Sequence, residues 1–370
     1  MIKKLPILFI TTFMIFSLLI SQERGFKVVA ATSEGEIVNL YKECYALVIG
    51  VSDYESSWPN LPNTTRDADE IGDLLEDLGF KVSRVKNPTK DQLIRSLEDL
   101  VYGPGQETDN CLVIFYAGHG HTEKLAYGDD MGYIVPKDAP SPNIDNPGFM
   151  KKAINMRIID SYARSIQAKH VLFLFDSCFS GAIFNITRAL PPKYISYKTE
   201  RAVRQFITAG GADETVPDKS DFKELLIDGL NGESDRNEDG YVTGTELGEY
   251  LQEKVVIYSY GNQHPQYGKI RDRNLDKGDF VFELKSKSEE TETPINPDLG
   301  YGYLLISSYP LTTVKVDGKP YGMVPPVLEV KLPEGKHTLS FFRKDLNIEK
   351  TIVVGLLKGE RKRIHERFDQ

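Results

Sequence analysis

Short apolar runs alternate with amphipathic segments between residues 40 and 285 of the chain. The apolar runs have the length of buried β-strands and lie at residues 45–51, 81–85, 111–118, 171–176 and 204–210. Apolar residues recur at helical intervals in segments 67–80, 89–103 and 153–168, and Thr89 is a predicted N-cap. Buried strands that alternate with helices require a parallel sheet covered on both faces. We therefore predict an α/β domain over residues 40–285.

The pattern changes after residue 285. Residues 286–299 are polar, contain proline and lack periodicity, which is typical of a linker. Residues 300–368 alternate apolar and polar positions in short runs, separated by the turn sequences DGKPYG and PEGK. This pattern predicts a second, small all-β sandwich module.

The first 31 residues are typical of an export signal. The positive residues of MIKK precede a continuous apolar stretch at residues 5–21, and small residues offer a cleavage site after Ala31. The apolar stretch is short for a spanning helix, which needs about 20 residues. We expect a protein that works outside the cytoplasm, in the periplasm or the extracellular space. If the signal stays uncleaved, it anchors the protein in the membrane, facing outside.

Charge and cysteine content narrow the class of protein. The net charge of −9 over 370 residues argues against nucleic acid as a partner, since such binders carry a basic face. Three cysteines are too few for a disulfide scaffold, and their odd number leaves at least one thiol free. Outside the cytoplasm, Cys44 and Cys111 are candidates for a disulfide.

Two predicted strands end on reactive side chains. IFYAGHGH places His119 and Gly120 just after one strand, and FLFDSCFSG places Cys178 at the end of another. Ligands of parallel sheets sit at the carboxyl ends of the strands, so a base and a thiol nucleophile can meet there. The amides of Gly120 and Cys178 are candidate donors to an oxyanion. The alternative for Cys178 alone is a small buried residue, because free cysteine packs like a hydrophobe.

These motifs make residues 40–285 resemble the caspase-like cysteine peptidases, in particular the metacaspase and orthocaspase type. YAGHG (116–120) and DSCFSG (176–181) carry the resemblance, and DADEIGDLLEDLGF, ITAGGADE and QHPQYGKI extend it. The resemblance implies a caspase-like α/β fold and protein or peptide substrates. It also implies that His119 is the general base and Cys178 the nucleophile, with Gly120 in the oxyanion hole.

The resemblance to metacaspases assigns a substrate pocket as well. In that family two acids line the pocket. One lies two residues before the cysteine and corresponds to Asp176, and the other is the acid of the DA segment and corresponds to Asp67. Two carboxylates favour a cation, which predicts cleavage after arginine or lysine. The alternative for Asp67 is an acid that stabilises a helix N-terminus. Arg66, its neighbour, counts against a purely acidic pocket.

The segment between Cys178 and the next strand is rich in basic residues. In the family this segment joins the two parts of the catalytic domain and is often processed. We therefore expect self-cleavage within it, and the alternative is a basic solvated loop. The candidate cleavage residues are Arg188, Lys193, Lys198, Arg201 and Arg204.

DRNEDGYVTGTE (235–246) matches every fixed position of the EF-hand calcium loop. The expected ligands are Asp235, Asn237, Asp239, the carbonyl of Tyr241, Thr243 through water, and Glu246. Calcium is thus the expected cofactor. Calcium either activates the protein or only stabilises its fold. EF-hands usually come in pairs, however, and no second loop is visible. The alternative is an acidic turn between two helices, with Thr243 or Thr245 as the helix cap.

Residues 300–368 resemble the PEGA domain, a small β-sandwich. Pro333, Glu334 and Gly335 form its signature, and VKVDGKPYG (314–322) matches its second recurrent element. The resemblance implies a surface or adhesion module, or else a spacer that binds nothing.

Four functions are compatible with these features. The leading one is an exported cysteine endopeptidase specific for basic residues. The others are a peptidase of the wider caspase–gingipain–clostripain group with a different pocket, a non-catalytic caspase-like scaffold, and a calcium-controlled adhesin. Retention of both His119 and Cys178 favours catalysis.

Overall fold

The computed structural model divides the chain into two units, residues 1–286 and 287–370. It describes residues 29–31, 37–126, 128, 130–179, 184–185, 201–211, 214, 221–237, 239–284, 300–309, 312–323, 328–343 and 348–367. Nearly all of the expected export signal, and the whole expected linker, lie outside these residues. Within the described ranges, no helix is both long and apolar enough to cross a membrane.

The first unit contains strands and helices in alternation. Its strands are β1 (Val29–Ala31), β2 (Ile37–Asn39), β3 (Cys44–Gly50), β4 (Lys81–Lys86), β5 (Cys111–Ala117), β6 (Gly120–Lys124), β7 (Asp130–Ile134), β8 (Ile154–Asn155), β9 (His170–Cys178), β10 (Phe184–Asn185), β11 (Val203–Gly210), β12 (Tyr241–Thr243), β13 (Gln266–Ile270) and β14 (Val281–Glu283). Its helices are α1 (Thr64–Asp77), α2 (Lys90–Tyr102), α3 (Pro142–Lys152), α4 (Met156–Ser165), α5 (Asp221–Asp228) and α6 (Gly244–Tyr258). Thr89 caps α2 as predicted, because its side chain accepts a hydrogen bond from the Gln92 amide.

A seven-stranded sheet forms the centre of the first unit, in the order β10-β13-β11-β9-β5-β3-β4. The five strands from β11 to β4 are parallel to their neighbours, whereas β13 is antiparallel to β11 and β10 is antiparallel to β13. The predicted α/β fold is therefore confirmed, and the sheet, predicted to be parallel, is mixed and mostly parallel. Hydrophobic alternation carries no information about strand direction, so the sequence pattern does not reveal this edge.

Helices cover both faces of the sheet. Ile71 of α1, Leu226 of α5 and Leu247 of α6 pack in the core on one face. Leu93 of α2 and Ile159 of α4 pack in the core on the other face. Every residue of β5 is buried, as expected for a central strand that has helices on both sides. Because the five strands from β11 to β4 run parallel, their carboxyl ends lie at one edge of the sheet.

A disulfide joins Cys44 and Cys111, which begin the neighbouring strands β3 and β5. The strand register pairs the two residues directly, with their Cα atoms 4.6 Å apart. The pairing considered from the sequence is therefore present. Cys178 is the cysteine that stays outside this disulfide.

The second unit is a sandwich of two β-sheets. Its strands are β15 (Tyr301–Tyr309), β16 (Thr313–Val316), β17 (Lys319–Met323), β18 (Leu328–Pro333), β19 (Gly335–Arg343), β20 (Ile348–Leu356) and β21 (Arg361–Arg367). The sheets have the orders β18-β15-β21 and β17-β16-β19-β20, and residues such as Leu304 and Phe341 share one core between them. Asp317 and Gly318, both at positive φ, form the tight turn between β16 and β17.

Candidate active site

The sheet brings the two predicted catalytic residues to the same edge on neighbouring strands. β5 and β9 are parallel, and their register pairs Ala117 with Asp176. His119 lies two residues beyond Ala117 in the chain, and Cys178 lies two residues beyond Asp176. The backbone of Cys178 belongs to β9, while its side chain is outside what the structure describes. The topology therefore places a histidine and a cysteine at adjacent strand ends, at the same level of the sheet.

The His119 imidazole is held in one tautomer. Its Nε2 lies 2.7 Å from the carbonyl oxygen of Pro59. A carbonyl oxygen only accepts hydrogen bonds, so Nε2 carries the hydrogen and Nδ1 is left to accept a proton. Burial lowers the pKa of His119, against the opposing effect of the Pro59 hydrogen bond. The imidazole is therefore neutral at pH 7, as a general base must be.

Two aromatic rings fix the position of the His119 ring. Its centroid lies 4.8 Å from that of Tyr54 and 4.9 Å from that of Trp58. The Tyr54 hydroxyl also accepts a 2.8 Å hydrogen bond from the His119 backbone amide. The sequence reasoning did not identify Tyr54, Trp58 or Pro59. The signal that reveals them is position, because YESSWPN follows β3 at the same edge of the sheet.

Gly118 is required because of its surroundings. A Cβ at this position would lie 2.7 Å from the Tyr116 hydroxyl and 2.9 Å from the Tyr54 hydroxyl. Both distances are too short for a carbon contact, so only glycine lets the chain pass between the two tyrosines into His119.

Gly120 begins β6 and is paired with Ile134 of β7. The preceding carbonyl, of His119, accepts a 3.1 Å hydrogen bond from Val135 of the same antiparallel pair. Amides alternate in direction along such a ladder, so the Gly120 N–H points away from β7. This orientation is compatible with the predicted oxyanion donor.

The two predicted pocket acids are both buried. Asp176 is 6% exposed near the end of β9, two residues before the candidate nucleophile. Asp67 is 2% exposed and lies in the first turn of α1, where an acid also stabilises the helix dipole. The alternative for Asp67, an acid at a helix N-terminus, is thus present, and its role in a substrate pocket stays a prediction.

Asp67 is paired with a cation from the chain itself, Lys223 of α5. Lys223 Nζ lies 3.5 Å from Asp67 Oδ1 and 2.6 Å from Glu70 Oε2, and its side chain is 5% exposed. Burial raises the pKa of Asp67, whereas Lys223 and Arg66 oppose this rise. The sequence gave no signal for this pairing, because the two residues lie far apart in the chain.

The predicted calcium residues form a folded loop between α5 and α6. The Asp235 carboxylate accepts hydrogen bonds from the amides of Asp239 and Gly240, and Asn237 donates to Asp239 Oδ2. Across the described part of the chain, no three acidic, histidine or cysteine side chains gather as a metal centre. The carboxylates at the start of the loop are bound to the loop itself.

Glu246 and Thr243 form the capping box of α6, so the alternative role of Thr243 as a helix cap is present. Glu246 is 1% exposed, and its Oε2 accepts hydrogen bonds from the Thr243 amide and hydroxyl. Its Oε1 is buried and has no hydrogen-bond partner among the described residues. Burial, reinforced by Asp239 and Asp235, raises the pKa of Glu246.

The processing segment is described only at its end. Arg188, Lys193 and Lys198 lie outside the described residues, and Arg201 is exposed. Arg204 is 1% exposed within β11, and its guanidinium donates to the carbonyls of Ala163 and Ile166. A peptidase cannot reach a residue inside a buried strand, so Arg204 was wrong as a candidate cleavage site.

A family model for the caspase domain, that of the C14 peptidases, matches residues 43–282. The match spans well over half of the chain, so the protein belongs to the caspase-domain family of cysteine peptidases.

Two solved structures are similar to much of the chain at low sequence identity. Caspase-1 from Spodoptera frugiperda is 16% identical, with a TM-score of 0.45, and the match covers 70% of this chain and 95% of that one. Protein GSU0716 from Geobacter sulfurreducens is 14% identical, with a TM-score of 0.42, and the match covers 66% and 100%. No curated protein matches the chain.

Proposed function

We propose that the protein is an exported cysteine endopeptidase of the metacaspase type, which cleaves peptide bonds after arginine or lysine. One observation carries the proposal: β5 and β9 bring His119 and Cys178 to adjacent strand ends. The hydrogen bond from His119 Nε2 to Pro59, which leaves Nδ1 as the proton acceptor, supports the assignment of the base.

The reaction uses the chain's own groups. The Cys178 thiol gives its proton to His119 Nδ1, and the thiolate forms a bond to the carbonyl carbon of the substrate. The oxyanion accepts hydrogen bonds from the Gly120 and Cys178 amides. When the tetrahedral intermediate collapses, the C–N bond breaks and the imidazolium protonates the leaving amine. A water molecule then gives a proton to His119 while its oxygen bonds to the thioester carbon. The C–S bond breaks, the acid product leaves, and the imidazolium returns its proton to the Cys178 sulfur.

Two carboxylates support a preference for basic residues. Asp176 is buried and lies two residues before the candidate nucleophile, and a carboxylate in such a position favours a cation. Asp67 already lies beside the ammonium group of Lys223, which supports an affinity of this position for a basic side chain. A substrate cation that reaches Asp67 displaces Lys223 or shares the acid with it.

Export and self-processing belong to the same proposal. The Cys44–Cys111 disulfide supports export, because disulfides persist in oxidising compartments outside the cytoplasm. Self-cleavage follows a basic residue between 187 and 201, where exposed Arg201 ends the segment. The β-sandwich of the second unit acts as a PEGA-type accessory that binds a surface ligand.

The test is hydrolysis of fluorogenic peptides with Arg, Lys or Asp before the cleaved bond. We expect turnover after Arg and Lys that is lost in Cys178→Ala and His119→Ala. His337→Ala is the control, since His337 lies on β19 of the second unit and pairs with Asp317 there.

Three results would count against parts of the proposal. Cleavage after Asp alone would keep the nucleophile and overturn the pocket. A folded chain that cleaves none of the peptides, even after incubation for processing, would favour the scaffold. Identical single bands for the incubated parent and Cys178→Ala would exclude self-processing.

A further inference from the structure

We propose that residues 235–246 bind one calcium ion as a lone EF-hand-like loop, braced by strand β14 instead of by a second hand. The proposal concerns a metal site away from the catalytic strand ends, and it does not depend on peptidase activity.

The loop already has the turn that such a site needs. α5 and a short π-helical turn at Gly229–Glu233 precede it, and α6 follows it. Gly240, the sixth loop position, has φ of +84°, a conformation that side chains with a Cβ rarely adopt. The Asp235 carboxylate lies 3.2 Å from the Asp239 amide and 2.9 Å from the Gly240 amide. The chain is therefore already wrapped around its first acidic residue.

Glu246 provides an independent indication of a cation. It is the twelfth loop position, which supplies both carboxylate oxygens to calcium in EF-hands. Its side chain is buried, yet Oε1 has no hydrogen-bond partner within the described residues. An unpaired buried carboxylate oxygen is costly, and a bound cation removes that cost. Oε1 is open to the metal in this structure, and a bidentate contact requires Oε2 to exchange its hydrogen bonds from Thr243 for the ion.

Strand pairing explains how one hand is sufficient. β12, which forms the end of the loop, pairs antiparallel with β14, with Val242 opposite Phe282. Val242 and Phe282 are fully buried in the same core as the central sheet. The body of the first unit thus holds the loop in the way that a second hand otherwise would.

The charges of the loop suit a divalent ion. Asp235, Asp239 and Glu246 supply three carboxylates, whereas the cation of Arg236 is turned to Glu253 of α6, 2.7 Å away. Several oxygen ligands in a flexible loop favour calcium over magnesium, which requires a tight octahedral set. Binding draws these carboxylates from their loop amides onto the ion, so the affinity is expected in the range of roughly 10⁻⁷ to 10⁻³ M.

The experiment measures calcium binding to full-length Cys178→Ala, in which self-cleavage cannot interfere. Isothermal titration and thermal unfolding are followed with calcium and with magnesium. We expect one calcium site, and a melting temperature that rises with calcium by mass action. Glu246→Gln and Asp235→Asn should lose the shift. Asp91→Asn, an exposed acid on α2 at the other face of the sheet, should retain it.

The outcomes separate this proposal from the peptidase proposal. No heat of binding and no thermal shift at 10 mM calcium (roughly ten times the weakest affinity expected) would overturn the calcium site and leave the dyad untouched. Equal shifts in the parent and in Asp235→Asn would also overturn it, because the binding would then lie elsewhere. Should Glu246→Gln fail to fold, since Glu246 also caps α6, Asp235→Asn decides the question.

Discussion

At the scale of residues, the state of His119 is set by its neighbours. Pro59 takes the hydrogen of Nε2, and the rings of Tyr54 and Trp58 shield the imidazole from water. Burial disfavours the protonated ring, so the neutral base persists to lower pH than in a free histidine. The same contacts leave Nδ1 as the nitrogen that accepts the thiol proton in the proposed reaction.

This environment predicts the pH dependence of catalysis. The base is active when neutral, that is, above its pKa, and this pKa is lowered from 6.5. The acid limb of kcat/KM should therefore have its midpoint below pH 6.5. Trp58→Ala, which exposes the ring, should move the midpoint back toward 6.5. A parent enzyme with an acid midpoint above 6.5 would contradict this account of His119.

The Lys223–Asp67 pair gives a second prediction for single residues. Lys223→Met leaves the 2% exposed Asp67 carboxylate without its main cation. Removing one partner of a buried pair is strongly destabilising, so we expect a loss of about 3 kcal/mol in the free energy of unfolding. Urea denaturation measures this loss, and the double variant Asp67→Asn, Lys223→Met should recover part of it. No recovery in the double variant would mean that the pair does not act as a unit.

At the scale of elements, a buried chain of hydrogen bonds holds the start of β9. The Tyr41 hydroxyl accepts from the Val281 amide and lies 2.5 Å from His170 Nδ1. His170 Nε2 donates to the carbonyl of Arg201, which lies in the described end of the processing segment. Since one ring nitrogen donates and the other accepts, the network requires a neutral histidine.

This network predicts acid sensitivity. Burial, with Lys169, Arg204 and Lys269 nearby, lowers the pKa of His170 from 6.5 to about 3. The unfolded chain therefore binds an extra proton between about pH 3 and 6.5, and stability falls as the pH falls through this range. The free energy of unfolding should drop by about 3 kcal/mol more between pH 7 and pH 4 than in His170→Gln. Equal losses in both proteins would exclude His170 as the cause.

Local pattern predicts α1, α2, α4 and the five parallel strands well, because each is amphipathic or buried on its own. It does not predict α3, whose apolar residues follow no helical period. The Thr89 cap and both reactive strand ends follow from short stretches of sequence. The pairing of Asp67 with Lys223 and the antiparallel direction of β13 depend on tertiary contacts between distant segments. The sequence pattern contains no signal for such contacts, and this is why they emerge only from the fold.

At the scale of the whole molecule, the caspase domain of residues 43–282 and the β-sandwich after it are separate units. The candidate catalytic residues, the disulfide and the proposed calcium loop all belong to the first unit. We therefore expect the peptidase chemistry to reside there, with the second unit serving attachment or binding.

The central claim is that Cys178 is a thiol nucleophile activated by His119 in a site for basic residues. Its most direct test is labelling of the folded protein with an arginyl chloromethyl ketone, followed by mass spectrometry of the digested chain. We predict one thioether adduct, on Cys178, that forms much more slowly in His119→Ala, while disulfide-bonded Cys44 and Cys111 stay unlabelled. An unlabelled Cys178 in the folded protein, or labelling that His119→Ala leaves unchanged, would contradict the claim.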